Sequence, residues 1–151
     1  AGGHLAASCA LLPKFDNPNE DLAVSSIPNA LILLNPVLDL GPGAYAHRRF
    51  GDRYIDLSPT DHIVAGAPPS IILVGTKDPI VPVEMVESFK EKMELVGSRC
   101  DLVLYKDQVH AFFAKKPIKY FIETTLEIDK FLISLGYLND SPTIKKQYIN
   151  N

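Results

Sequence analysis

Residues 70–82 read SIILVGTKDPIVP: an apolar run from Ser70 to Val74, closed by Gly75, then a polar turn that carries Asp78 between Lys77 and Pro79. An uninterrupted apolar run of this length, bounded by Pro69 and Gly75, suits a strand buried on both faces, as strands of parallel sheets are. Val83 to Val96 then sets Met85, Val86, Phe89, Met93 and Val96 on one helical face, with Pro82 opening the helix and Gly97 closing it. Met85 and Met93 therefore read as helix core and not as ligands. Leu102 to Tyr105 supplies the next apolar run. A strand, a loop, a helix and a second strand in that order predict a parallel βαβ unit with a right-handed crossover.

The same alternation extends outward on both sides. Toward the N-terminus, Ala30 to Leu34 is short and apolar and ends at Asn35-Pro36, which predicts a first strand, also buried on both faces. Between Leu40 and Pro69 the chain turns irregular, with Gly41-Pro42-Gly43 and an aromatic and arginine cluster (Tyr45, Arg48, Arg49, Phe50, Tyr54), and loops with short helices are expected. The first residues, AGGHLAASCALL, place Leu5, Cys9 and Leu12 at i, i+4, i+7 among small residues, the pattern of a tightly packed helix that Pro13 ends. Toward the C-terminus, Lys119 to Leu135 sets Phe121, Ile128, Leu132 and Leu135 on one face and stops at Gly136. The expected fold class is α/β: three parallel strands in the order first, second, third, flanked by helices. A single domain over 1–151 is expected, structured over 1–138, with a polar, fraying tail at 139–151.

Composition narrows the function classes. Net charge is −3, from 15 basic and 18 acidic residues without a long run of either sign. No electrostatic footprint for nucleic acid or an anionic membrane is visible. The apolar runs Ala30 to Leu34 and Ile71 to Val74 fall far short of the roughly 20 residues that a membrane span needs, so the chain reads as soluble. Localisation stays open, with the cytoplasm favoured. Cys9 and Cys100 are the only cysteines, and their apolar surroundings predict two buried free thiols in place of a disulfide.

In an open parallel sheet, reactive groups collect in loops at the carboxyl ends of the strands. Asp78 stands three residues past Gly75, and His110 five residues past Tyr105. An acid and a base thus leave neighbouring strand ends. Imidazole can take a proton from a nucleophile near neutral pH, and a carboxylate accepting from its Nδ1–H fixes the tautomer and stabilises the imidazolium. Asp78 alone reads as a turn residue before Pro79, and His110 alone is ambiguous; the pair, at adjoining strand ends, reads as two members of a catalytic triad. His4 reads as a core histidine bonded to a backbone carbonyl, and His47 and His62 as loop packing. Asp39 reads as a cap or loop hydrogen bond. No cluster of His, Cys or carboxylates has metal-ligand spacing, and no metal or organic cofactor is expected.

The motifs resemble those of the α/β-hydrolase fold, in particular the lipases and esterases related to hormone-sensitive lipase and acetylxylan esterases. The nucleophile elbow of that group, GxSxG, commonly continued as GDSAGGHLAA, is similar in its last seven residues to AGGHLAA from Ala1 to Ala7; LxPxxD is similar to LNPVLDL (34–40); SPxxH is similar to SPTDH (58–62). The acid motif HGTxDxxVP is matched by GTKDPIVP (75–82) and the base motif GQxHGFF by DQVHAFF (107–113). The resemblance covers Ala1 to about Gly136.

It implies Asp78 as the acid and His110 as the base, with Ala1 at the position after the nucleophile, where its backbone N–H would be an oxyanion donor. Neither the nucleophilic serine nor an HGGG-type loop stands in these 151 residues. Asp107 and Ala111 replace glycines of the base motif, so the loop around His110 is expected to reach positive φ less easily; Asp107 reads as a solvated surface acid, with a carboxylate competing for His110 as the alternative. Loss of a triad nucleophile costs on the order of 10⁶ in turnover, so little activity is expected of this chain alone. The implied function is carboxylic ester hydrolysis through an acyl-enzyme, with a small ester as substrate. Two alternatives stand beside it: a catalytically silent fragment acting as a folded or assembly module, and the C-terminal part of a prolyl oligopeptidase-type serine peptidase. An edge as apolar as that of the first strand is expected to be covered by homo-oligomerisation or by the N-terminal half of the fold.

Overall fold

The computed structural model describes residues 1–21, 23–114, 118–139 and 144. Apart from Asn139 and Ile144, the expected tail at 139–151 lies outside the described residues. Two compact units are present, Ala1–His110 and Ala111–Asn151.

The first unit begins with helix α1 (Gly2–Leu11) and reaches strand β1 (Leu31–Leu34) through a polar loop. Two single-turn helices, α2 (His47–Phe50) and α3 (Tyr54–Leu57), occupy the irregular stretch, followed by strand β2 (Ser70–Gly75), helix α4 (Val83–Leu95) and strand β3 (Cys100–Tyr105). The strands form one parallel sheet in the order β1-β2-β3, with Leu31 opposite Ser70 and Ser70 opposite Cys100. This is the predicted order, with β3 starting two residues before the predicted Leu102.

All six residues of β2 are buried, because this strand has a hydrogen-bonded neighbour on each side. The expectation of burial on both faces fails for β1, where Leu31 and Leu33 are buried and Ile32 is exposed. Among the described residues β1 pairs with β2 alone. Helix α4 buries Val86, Phe89 and Met93, as its period requires, and packs on β3 and β2.

Of the expected apolar set of α1 only Leu12, just past the end of the helix, is buried, and the helix packs on β1 through other residues. Leu5 and Cys9 are exposed, and Ala7, Ala10 and Leu11 are buried instead. The reason is close approach: a Cβ built on Gly3 would lie 2.9 Å from Cβ of Pro36, so only small residues let the helix sit this near the chain leaving β1. That departing segment is held by side chains at three of its carbonyls. His4 donates Nδ1–H to the Val37 carbonyl at 3.0 Å, Thr60 Oγ1 donates to Leu38 O at 2.9 Å, and His47 donates Nδ1–H to Leu40 O at 2.8 Å. Ser58 Oγ accepts the N–H of Leu40 at 2.9 Å. The LNPVLDL and SPTDH stretches are thus two sides of one hydrogen-bonded junction, in which Ser58 and Thr60 are buried.

In the second unit, helix α5 (Lys119–Ser134) buries Thr124 and Phe131, whereas Phe121 of the expected face is exposed. The rings of Phe112 and Tyr120 meet edge to face, 5.5 Å between centroids.

Candidate active site

The loop between β2 and α4 is built around Asp78. Its N–H closes a turn onto the Gly75 carbonyl, and its Oδ1 accepts the backbone N–H groups of Ile80 at 2.8 Å and Val81 at 3.0 Å. A carboxylate satisfied by the amides just after it fits an Asp-Pro turn. Its other oxygen, Oδ2, accepts Nδ1–H of His110 at 2.8 Å and Nδ2–H of Asn35 at 2.7 Å. The side chain of Asp78 has no exposed surface, whereas that of His110 is 35% exposed. The carboxylate is therefore sequestered with four donors, and the imidazole keeps a face toward solvent. A carboxylate can only accept, so the proton of the pair sits on Nδ1 of His110 and leaves Nε2 as the basic nitrogen.

The two loops are locked to each other. Thr76 N–H donates to Tyr105 O at 3.0 Å, Lys77 N–H to Gln108 O at 2.9 Å, and Asp107 N–H to Thr76 Oγ1 at 2.8 Å. Gly75 is required at this crossing, since a Cβ there would lie 2.2 Å from the Gln108 carbonyl oxygen. Lys77 and Asp107 form an ion pair at 2.8 Å on the surface, so Asp107 does not compete for His110. Asp107 and Ala111, at the two positions where the family motif has glycine, adopt φ of 60° and 57°, so the glycine conformation is kept with side chains present.

The remaining candidates fall outside this cluster. His4 and His47 hold backbone carbonyls as described, and His62 Nε2–H donates to Ile55 O at 2.8 Å. Asp39 Oδ1 accepts the N–H of Gly41 at 2.7 Å, a loop hydrogen bond. Ala1 lies on an apolar cavity of about 250 Å³ lined with His4, Leu5, Val37, Leu40 and Phe50; neither Asp78 nor His110 lines it. Among the described residues no three His, Cys, Asp or Glu side chains gather as metal ligands, and no helix is long and apolar enough to cross a membrane. Cys100 is buried and its thiol is pushed up to about 12 by that burial, whereas Cys9 is exposed, which corrects the expectation of two buried thiols.

Sequence reasoning missed Asn35. Its one local signal was an asparagine directly after an apolar run and before Pro36, at a place where the chain takes φ of 47°. Asparagine tolerates that region better than other residues with a Cβ.

A parallel sheet whose second and third strands end in a hydrogen-bonded carboxylate and imidazole, with a helix crossing over between them, is the C-terminal architecture of the α/β-hydrolase fold, and this chain carries that part of it. Comparison with known proteins identifies it further as related to esterases. Residues 56–130 match the model of the dienelactone hydrolase family. Esterase 2 of Thermogutta terrifontis, solved phosphoramylated by tabun, is 39% identical and superposes with a TM-score of 0.84 over 93% of this chain and 54% of that one. The same esterase with propionate bound gives 37% identity and a TM-score of 0.83, covering 93% and 55%. A probable isoprenylcysteine alpha-carbonyl methylesterase of Arabidopsis thaliana is 29% identical over 101 residues, which is 66% of this chain and 21% of that protein. The chain thus spans about half the length of the solved esterase and about a fifth of the plant relative.

Proposed function

We propose that this chain supplies the acid and the base of a serine ester hydrolase that works through an acyl-enzyme, with Asp78 as acid and His110 as base. The observation that carries this reading is the 2.8 Å hydrogen bond from His110 Nδ1 to a fully sequestered Asp78 carboxylate. In such a pair Nε2 takes the proton of the attacking hydroxyl and returns it to the leaving alcohol, while the carboxylate stabilises the imidazolium formed in between. The nucleophile is a serine in the GxSxG context that AGGHLAA continues, and the N–H of Ala1 is one oxyanion donor. The SPTDH stretch supports the hormone-sensitive lipase and acetylxylan esterase group in particular. Relatives described as an esterase and a probable methylesterase support a carboxylic ester as substrate, and the cavity beside Ala1 fits a short apolar part of it.

The test is p-nitrophenyl acetate turnover by this chain beside the chain joined to the N-terminal half of the Thermogutta esterase. Turnover in the joined protein that disappears in His110→Ala and Asp78→Ala supports the reading. Turnover that survives both substitutions ends it. We further propose that the outer edge of β1 is covered by another strand, from a second copy or from the N-terminal half of the fold. A monodisperse monomer of this chain by light scattering, with amide protons of β1 exchanging at the rate of a free edge, counts against that.

A further inference from the structure

The carboxyl ends of three adjacent strands each deliver one polar side chain to the same point: Asn35 after β1, Asp78 after β2 and His110 after β3. We propose that Asn35 is a positioning residue for the acid, holding the Asp78 carboxylate at the rotation in which Oδ2 faces the imidazole. This rests on the roles proposed above for Asp78 and His110.

The geometry carries the inference. Oδ1 is fixed by the two backbone amides of its own loop, which sets one end of the carboxylate. The carboxylate is one rigid plane, so with Oδ1 held Oδ2 rests where Asn35 and His110 both donate to it, and of these two donors Asn35 is the buried one while the His110 side chain is 35% exposed. Asn35 is 4% exposed, and its own N–H donates to the Leu73 carbonyl at 3.0 Å, so it is tied to the very strand that Asp78 follows. Its left-handed φ of 47° ends the extended run of β1 at the residue whose amide reaches the carboxylate. Facing an acceptor-only group, the amide must present its nitrogen, giving a charge-assisted bond of 2.7 Å to a carboxylate that has no exposed surface.

Two variants separate the hydrogen bond from the backbone conformation. Asn35→Gly keeps the left-handed backbone and removes the donor, while Asn35→Asp keeps the volume and replaces the donor with an acceptor. The first readout is made on the 151-residue chain by proton NMR: the downfield line of His110 Nδ1–H, identified by its absence in His110→Ala. We expect this line to move upfield or broaden in both variants. The second readout is ester turnover by the chain joined to the N-terminal half of the Thermogutta esterase, where kcat is expected to fall on the order of tenfold with KM unchanged. A merely structural Asn35 would lower the melting temperature and leave both readouts alone. The proposal is overturned if both variants keep the line in place and kcat within about twofold of the parent. Should Asn35→Gly fail to fold, the Asp variant decides by the same criteria. Turnover that is indifferent to His110→Ala would bring down the hydrolase reading itself and this proposal with it. Turnover that needs His110 and ignores Asn35 would bring down the positioning role alone.

Discussion

Replacing Asp78 by asparagine changes one carboxylate oxygen into an amide nitrogen and leaves the shape intact, so the outcome depends on where that nitrogen goes. At the Oδ1 position it would face the backbone N–H groups of Ile80 and Val81, which cannot turn over. Two donors would be orphaned there, at about 1–3 kcal/mol each. At the Oδ2 position it would face Asn35 and His110, and both of these can reverse their polarity. The introduced asparagine is therefore expected to put its nitrogen toward His110. The imidazole then accepts at Nδ1 and moves its own proton to Nε2, where a nucleophile would need a base. Stability falls only by the lost charge assistance, about 1–3 kcal/mol, or roughly 3–10 °C in Tm for a chain of this size. With the roles proposed for Asp78 and His110, turnover by the chain joined to the N-terminal half of the Thermogutta esterase is expected to fall far more, on the order of 10⁴, the loss that the wrong histidine tautomer causes in a Ser-His-Asp triad. The assay is ¹⁵N-edited NMR of His110 in Asp78→Asn at neutral pH, read beside a thermal melt. Retention of the Nδ1–H tautomer, or a stability loss large enough for two orphaned backbone donors, would refute the reasoning.

Ala111→Gly relieves a left-handed residue that has a Cβ, worth about 1–2 kcal/mol, against a smaller entropy cost in the unfolded chain; Tm should rise, and by more than in Asp107→Gly, which also loses the Lys77 ion pair. Gly75→Ala puts a Cβ 2.2 Å from the Gln108 oxygen and should force the two loops apart, seen as loss of the His110 Nδ1–H line even where the chain remains folded. Burial raises the Cys100 thiol from 9.0 to about 12, so the neutral thiol is favoured in the folded state. The stability this carries is whole below about pH 9 and is lost as pH rises through about 12, a slope that Cys100→Ala should remove from an alkaline denaturation series. At about pH 8 a disulfide reagent should titrate Cys9 quickly and leave Cys100 until unfolding.

The strands were legible because the first two apolar runs end at Asn35-Pro36 and at Gly75, because the third lies between the charged Asp101 and Lys106, and because Asp78 and His110 follow their strands by short, polar loops. Two kinds of information were not local. The buried face of α1 is decided by how near Pro36 comes to Gly3, a contact between distant parts of the chain that favours small side chains over Leu5 and Cys9. Asn35 reaches Asp78 across 43 residues, and nothing in an Asn-Pro pair says which acceptor it will find. The expected face of α5 held in part, with Ile128, Leu132 and Leu135 half-buried and Phe121 exposed: a helix with apolar residues around much of its circumference does not reveal by period alone that Thr124 and Phe131 are the most buried.

The backbone bridges between Thr76, Lys77 and the 105–108 turn have a dynamic consequence. Segments joined this way share their thermal excursions: when one swings, the other is carried along, and the spacing between carboxylate and imidazole changes much less than the absolute position of either. Breathing of the sheet then acts as a common displacement of the pair, and the hydrogen bond between His110 and Asp78 need not wait for two independent loops to come into alignment.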